Sequence, residues 1–152
     1  MRITKRSNLA LRVLMFCGVN SGRLVTKHDI AGKCNSSENH LGQVVNQLAQ
    51  AGYLDTVRGR GGGIKLGKRA ADIRIGEVFR LLEEKETVSD CFADVDNTCP
   101  LVSACRLKSA ISAAVDAFYS KLDEIVLEEL IRGNDDLEEI LCLDLQKVCA
   151  AQ

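Results

Sequence analysis

A glycine-rich turn at residues 58–63, Arg-Gly-Arg-Gly-Gly-Gly, limits the fold more than any other part of this sequence. Residues 53–57 before it and 64–67 after it are suited to extended structure,. The pattern predicts strand, turn and strand, a hairpin whose tip carries Arg58 and Arg60. It is not a nucleotide-binding phosphate loop, because it lacks the Gly-Lys-Ser/Thr ending and joins two strands.

Two predicted helices precede this hairpin at the spacing of a helix-turn-helix. A capping box over residues 26–29 opens a short helix, and Ser36 or Ser37 caps a second helix that ends near Gly52,. The apolar residues of the second helix recur at i, i+3, i+4 and i+7, which is typical of a core-facing stripe. Together with the hairpin, these helices predict a winged helix-turn-helix, a mainly α fold with a small β wing.

The opposite face of the second helix is polar and almost uncharged. Amides and hydroxyls read base edges and bind phosphates, and the helix after the turn enters the major groove in this motif. The alternatives are a solvated helix face and a plain exposed hairpin. We expect DNA contacts at Ser36, Ser37, Asn39, His40, Gln43, Asn46, Arg58 and Arg60.

The charge of the chain is unevenly distributed. The net charge is -1, but residues 1–70 carry +9 and residues 71–152 carry -10. The basic half coincides with the helix-turn-helix and the hairpin, which favours a nucleic-acid partner over ordinary solvated faces. The sequence has neither an apolar run that could cross a membrane nor a secretory signal, so we expect a cytoplasmic protein with reduced thiols and no membrane partner.

The remaining sequence predicts further helices around this unit. A first helix over residues 7–19 and a fourth near residues 75–82 pack on the DNA-binding domain, which we place at residues 1–84. A single helix over residues 104–131 has an apolar stripe with no partner in the core, and therefore predicts a homodimer. We assign residues 85–103 to a cysteine loop, 104–132 to the dimerisation helix, and 133–152 to a tail with helical character.

Cys91, Cys99 and Cys105 fall close together in the cysteine loop. Soft thiolates at this density in a reducing compartment indicate zinc or an iron–sulfur cluster. Zinc normally takes four protein ligands, and no histidine follows His40. Three reduced structural thiols remain the alternative, because this spacing is not a general ferredoxin pattern.

These segments together resemble the NsrR/IscR/RirA family of winged-helix regulators (BadM/Rrf-two type), and within it the NsrR type, over residues 1 to about 131. The resemblance is carried by Met1-Arg2-Ile3-Thr4, Leu9-Ala10-Leu11-Arg12-Val13-Leu14, Asn46-Gln47-Leu48, Ala51-Gly52-Tyr53, residues 57–68 around the glycine-rich turn, Ile73-Arg74-Ile75-Gly76, Cys99-Pro100-Leu101 and Ala104-Cys105-Arg106-Leu107-Lys108.

The resemblance implies a homodimer that binds double-stranded operator DNA and holds a cluster through Cys91, Cys99 and Cys105. A 4Fe-4S cluster is expected in preference to a 2Fe-2S cluster. Lys108 stands where the IscR branch has a histidine, which argues against that branch. Asn8 from the other protomer stands where the NsrR branch has an aspartate ligand, and Arg12, one helical turn away, would couple the cluster to the DNA-binding domain.

The expected function is therefore a transcriptional repressor, not an enzyme, that releases its operator when nitric oxide nitrosylates the cluster. One alternative is an iron-responsive, RirA-like repressor whose cluster is lost at low iron. A second is a metal-free thiol/disulfide switch that binds DNA. An enzyme or electron carrier is disfavoured, because the sequence offers no acid/base constellation and such a protein has no use for the polar helix and arginine wing.

Overall fold

The computed structural model describes residues 3–83, 99–101 and 104–143. Helices account for most of these residues, and one antiparallel hairpin accounts for the strands, in agreement with the predicted class. The elements are α1 (Lys5–Val19), α2 (Lys27–Cys34), α3 (Glu38–Gln50), β1 (Leu54–Val57), β2 (Gly63–Leu66), a 3-10 helix (Ala70–Asp72), α4 (Ile75–Glu83), α5 (Arg106–Asp123), α6 (Leu127–Ile131) and α7 (Asp135–Leu141).

Local sequence determines where the helix-turn-helix begins and ends. Thr26 accepts a hydrogen bond from the Asp29 backbone and completes the predicted capping box of α2,. Asn35 ends that helix in the left-handed region, with φ of 48°,. The Ser37 hydroxyl accepts from the His40 N–H and caps α3,. Of the two serines considered for this cap, Ser37 therefore fills it.

The core lies where α1, α2, α3 and α4 meet. Phe16 and Leu14 of α1 are fully buried, as are Leu41 and Leu48 of α3. Burying side chains of this kind stabilises the fold by roughly 1.5–3 kcal/mol each. The predicted α3 stripe therefore faces the core, which leaves the opposite side of the helix available.

The hairpin is attached to the start of α2 as well as to the core. Leu54 pairs with Leu66 and Val57 with Gly63 in the two-stranded sheet. Val25 and Ile64 exchange both backbone hydrogen bonds, at 2.9 and 2.8 Å. This bridge fixes the hairpin relative to the N-terminal end of α2.

The single helix expected over residues 104–131 is divided, and that expectation was wrong. α5 ends at Asp123, and α6 starts at Leu127. Between them, Val126 forms an antiparallel bridge with Arg74. The hydrogen bonds from Ile75 N to Ile125 O (3.0 Å) and from Leu127 N to Ile73 O (2.9 Å) replace those a continuous helix would make.

The segment after α6 packs on the C-terminal end of α1. Asn20, at the end of α1, is almost fully buried. Its amide donates to the carbonyls of Phe16 and Leu141, and its oxygen accepts from the N–H of Leu143. The tail helix that we expected is α7, and Asn20 attaches its C-terminal end to α1. No helix in the described ranges is long and apolar enough to cross a bilayer.

Candidate nucleic-acid interface and cysteine segment

The outer face of α3 presents the polar residues predicted to contact DNA. Ser36 is half-buried at the turn, and the others are exposed: Ser37, Asn39, His40, Gln43 and Asn46. Gln47 is not part of this exposed face. Its Nε2 donates to the Leu81 carbonyl at 3.0 Å, and its buried Oε1 has no hydrogen-bond partner among the residues that the structure describes. Not every polar residue of α3 is therefore available to a ligand, since Gln47 packs against α4.

The hairpin tip carries the two predicted arginines in a backbone conformation that requires glycine. Gly59 and Gly61 have φ of 99° and 80°, a region that side chains with a Cβ adopt with difficulty. A Cβ on Gly62 would overlap the carbonyl oxygen of Val57. The tip is thus a tight turn of fixed shape, and both arginines extend from it into solvent.

A cleft of about 360 Å³ separates α3 from the hairpin and reaches the start of α2. Asn46 and Arg58, both predicted, line it together with Thr26 and Lys27, which were not predicted. Lys27 could have been noticed from the excess of positive charge in the first half of the chain. Its position beside α3 follows from the packing of α2, which the sequence did not reveal.

Three exposed cations border this cleft and the hairpin tip. Within the described residues, Lys27, Arg58 and Arg60 make no ion pair and no side-chain hydrogen bond. Several cations elsewhere are paired, as in the contacts Arg69–Asp72 and Arg80–Asp123. Unpaired cations around an uncharged polar helix face form a surface suited to a phosphate backbone.

Asn8 and Arg12 lie one turn apart on α1 and are joined by their side chains. The Oδ1 of Asn8 accepts from Nε of Arg12 at 2.8 Å and also from Nη2. Nη1 of Arg12 donates to the backbone carbonyl of Cys34 at 3.0 Å. Since Cys34 is the last residue of α2, these bonds connect Asn8 to the turn that precedes α3.

A cavity of about 510 Å³ opens beside these residues, with Asn8, Arg12, Cys34, Ser36 and His40 in its lining. The cavity therefore borders both the predicted coupling residues and the start of the predicted recognition helix. It also includes residues 3–5 at the beginning of α1. A group bound here would touch α1 and the beginning of α3 together.

Two of the three predicted cluster ligands are described, and Cys91 lies outside the described residues. Cys99 and Cys105 are half-buried. Cys105 is the N-cap residue of α5, and its side chain makes no capping hydrogen bond. Soft donors on this segment fit an iron–sulfur cluster, although no three metal-binding side chains meet within the described ranges.

Cys17 and Cys34 are core residues, as expected, and both are almost fully buried. Burial, with a smaller contribution from the charge of nearby Cys34, raises the pKa of the Cys17 thiol to about 12. Burial also raises the pKa of Cys34, while Arg12 acts in the opposite direction. These thiols stay protonated at neutral pH. Cys142 is half-buried and free, and Cys149 lies outside the described residues.

Known proteins similar to this chain are DNA-binding regulators. The HTH-type transcriptional regulator NsrR of Geobacillus kaustophilus is 41% identical over 93% of this chain and 97% of its own length. NsrR of Bacillus subtilis is 37% identical, with the same coverage of both chains.

Solved structures have the same fold. The oxidized form of Staphylococcus aureus CymR gives a TM-score of 0.68 at 26% identity, covering 87% of this chain and 97% of that one. T. potens IscR, at 22% identity and 87% coverage of each chain, also gives 0.68 and bears on the fold alone.

A family model, Rrf2, described as an iron-dependent transcriptional regulator, matches residues 3–133. That range contains the helix-turn-helix, the hairpin, α5 and α6, and it ends before α7. The tail helix that Asn20 holds is thus outside the matched region. With most of its length matched, this chain belongs to the Rrf2 family and is a DNA-binding transcriptional regulator, not an enzyme.

Proposed function

We propose that this protein is a cytoplasmic homodimeric repressor that carries an iron–sulfur cluster, senses nitric oxide and then releases its operator DNA. Similarity to regulators named NsrR supports the class of signal. The observation that carries the proposal is the hydrogen-bonded connection from Asn8 through Arg12 to the Cys34 carbonyl. It provides a physical route from a sensor position on α1 to the start of the recognition helix.

In this proposal Cys91, Cys99 and Cys105 hold a 4Fe-4S cluster, with 2Fe-2S as the less favoured form. When bound, the cluster supplies iron that reacts with nitric oxide. Cys105 at the N-cap of α5 supports this ligand set, because its side chain is not used in a capping hydrogen bond. Lys108, one turn into α5, leaves no imidazole at the position used by the IscR branch.

Asn8 of the partner subunit is the candidate fourth ligand. Within one chain, the oxygen of Asn8 already accepts two hydrogen bonds from Arg12. If the Asn8 oxygen were instead used as a cluster ligand, the guanidinium of Arg12 would keep only its hydrogen bond to the Cys34 carbonyl. Because this carbonyl ends α2, a shift of Arg12 alters the turn that sets the direction of α3. Arg12 is therefore the proposed coupling residue.

The exposed stripe of α5 supports a homodimer. This 18-residue helix has no fully buried residue. Ile111, Val115 and Phe118 on its apolar stripe are only half-buried, and Leu107 is 66% exposed. Apolar residues repeated along an open helix face are typical of a helix that pairs with a second copy.

For DNA, we propose that α3 enters the major groove of a two-fold symmetric operator. Ser36, Ser37, Asn39, His40, Gln43 and Asn46 would contact bases and phosphates. Arg58 and Arg60 at the hairpin tip would follow the adjacent minor groove or backbone. Neither arginine is paired with any residue in the described part of the chain, which supports this assignment.

The experiment that tests the whole proposal is anaerobic purification followed by a nitric oxide titration. Absorbance and operator binding are measured in parallel on the same samples. We expect a brown protein whose visible absorbance changes as its affinity for DNA falls. Cys99→Ala provides the matched control and should abolish both responses. Normal DNA binding by Cys99→Ala, with its nitric oxide response intact, would contradict the mechanism.

The second candidate is an iron-responsive repressor, which is favoured by the description of the family as iron-dependent. Chelator treatment separates the two. A cluster that ignores nitric oxide but is lost to a chelator, with loss of DNA binding, would establish the iron regulator. A colourless protein that binds DNA fully after anaerobic purification would instead support a thiol switch.

A further inference from the structure

Lys27 lies across the face of the recognition helix, although it belongs to α2. Its Nζ is 3.8 Å from the point that a Cβ of Gly42 would occupy. Gly42 is an interior residue of α3, one residue before Gln43 on the polar side of the helix. The ammonium group thus stands over a gap that a side chain on α3 would fill.

Both residues are unfavourable choices for their local structure. Lys27 is the first residue of α2, where a cation is repelled by the positive end of the helix,. Glycine inside a helix raises the entropy lost on folding. Two residues that are unfavourable for helix stability lie side by side here. Such residues are expected at functional sites.

The neighbouring carboxylates leave Lys27 free. Asp29 accepts from the backbone N–H and the hydroxyl of Thr26, at 2.9 and 2.6 Å. Glu38 faces His28 at 3.2 Å. Among the described residues, the two nearest carboxylates are therefore engaged elsewhere, and the exposed ammonium group of Lys27 is available to an anion from another molecule.

The position of Lys27 is fixed relative to the other proposed DNA contacts. Val25, two residues earlier, is bonded to Ile64 of the hairpin through both backbone groups. Lys27 also lines the same cleft as Asn46 of α3 and Arg58 of the hairpin. One rigid unit therefore presents an amide and two cations around a single opening.

We infer that Lys27 binds a phosphate of the DNA backbone beside the recognition helix, and that Gly42 lacks a side chain so that this cation and the backbone can meet. The inference rests on the proposed DNA binding and deepens it. Lys27 carries no base specificity in this role. It fixes how α3 lies along the groove, so its loss weakens binding to all sequences.

The test uses the full-length protein and a short fluorescent duplex of mixed sequence, with anisotropy measured over a range of salt concentrations. Lys27→Gln is compared with Lys27→Arg, which keeps the charge. Lys68→Gln is the matched control, since Lys68 follows β2 at the end of the hairpin opposite its tip. We expect Lys27→Gln to bind several-fold more weakly. Its slope of log affinity against log salt should be smaller by about 0.9 per protomer. The two comparison variants should match the unsubstituted protein.

Gly42→Gln is a second probe that fills the gap under Lys27. It should weaken DNA binding without lowering thermal stability, because glutamine is the better helix former. If Lys27→Gln keeps the original affinity and salt slope, the inference is wrong and the proposed function stands. An equal loss in Lys68→Gln would show that bulk charge is responsible and would also overturn it. If the unsubstituted protein does not bind DNA at all, both proposals are wrong.

Discussion

Arg80 of α4 and Asp123 at the end of α5 meet in a two-point ion pair, with N–O distances of 2.7 and 2.6 Å. Gly76, one turn before Arg80, makes room for this contact. A Cβ on Gly76 would overlap the Asp123 carboxylate and lie 2.9 Å from its backbone nitrogen. The ion pair, together with the bridge at Arg74 and Val126, joins α5 to the DNA-binding domain.

Replacing Gly76 with alanine should therefore destabilise the protein, by about 1–3 kcal/mol for an overpacked site. Gly32→Ala is the matched control in another helix. A Cβ at Gly32 meets no atom within 4 Å, so this change should stabilise the fold by about 0.4–1 kcal/mol. Urea denaturation measures both. If Gly76→Ala costs as much stability in an Asp123→Ala background as in the unsubstituted protein, a clash with the Asp123 carboxylate is not the explanation.

Glu83 should make the stability of the fold sensitive to acid. Its Oε1 accepts from the Thr4 N–H (3.0 Å), the Thr4 hydroxyl (2.9 Å) and the buried Ser7 hydroxyl. Burial raises the pKa of Glu83, but these hydrogen bonds outweigh it, and the pKa lies below its ordinary value of 4.5. The stabilisation is thus complete above pH 4.5 and is lost as pH falls through the lower pKa of the folded state,.

The variant Glu83→Ala removes the acceptor of three hydrogen bonds, from the Thr4 N–H and the hydroxyls of Thr4 and Ser7, at a cost of about 1–3 kcal/mol,. Thermal melting at neutral pH and at decreasing pH checks both statements. The difference in melting temperature between the two proteins should shrink below pH 4.5. A difference that stays constant with pH would show that the carboxylate charge is not involved.

Asn20 should control the attachment of the C-terminal tail. Asn20→Ala removes the donor to the carbonyls of Phe16 and Leu141 and the acceptor for the Leu143 N–H. We expect the protein to lose about 1–3 kcal/mol of stability. Protease cleavage after α6 should become faster at the same time. The outer-face variant Ser21→Ala provides the control. Unchanged cleavage in Asn20→Ala would mean that other contacts hold α7.

The cysteines should differ in their reactivity in the native state. Cys17, with its pKa raised to about 12, and buried Cys34 should resist alkylation at neutral pH,. The half-buried Cys99, Cys105 and Cys142 should react before these two in metal-free protein. Mass spectrometry of partially alkylated protein gives the order directly. Early labelling of Cys17 would show that the DNA-binding unit opens readily, and would strengthen the thiol-switch alternative.

Asn8→Asp should make the proposed cluster more resistant to loss. A carboxylate is a better iron ligand than a neutral amide, and at this exposed position the change should not disturb folding. The decay of visible absorbance in the presence of a chelator should become slower than in the unsubstituted protein. Asn8→Ala is the control. Equal decay rates in all three proteins would remove Asn8 from the proposed ligand set.

Sequence reasoning succeeded where structure is decided locally. Capping residues and a regular apolar stripe determine α2 and α3, and the glycines of residues 58–63 determine the turn of the hairpin. The starts of α2 and α3, the end of α3 and the limits of both strands therefore lie within one or two residues of the prediction. α2 continues to Cys34, beyond the short helix that was predicted. The outer face of α3 was also predictable, because burying the apolar stripe of a helix leaves its opposite side exposed.

Features that depend on contacts between distant segments of the chain were not predicted. Nothing between Leu122 and Leu127 breaks a helix on its own, yet the bridge between Val126 and Arg74 divides the expected helix. The contact of Glu83 with Thr4 and Ser7 was not foreseen for the same reason, since it joins residues 76 and 79 positions apart. Lys27 reaches the cleft only because of how α2 packs on α3.

The bridge between Arg74 and Val126 also has a consequence for the spacing of operator half-sites. With α5 fixed to the domain that carries α3, pairing of two copies through α5 would set a fixed span between their recognition helices. Such a dimer would bind only operators whose half-sites are separated by that distance. An operator lengthened by one base pair between its half-sites turns one half-site by about a tenth of a helical turn. Because α3 cannot turn relative to α5, a dimer of this kind should bind such an operator more weakly.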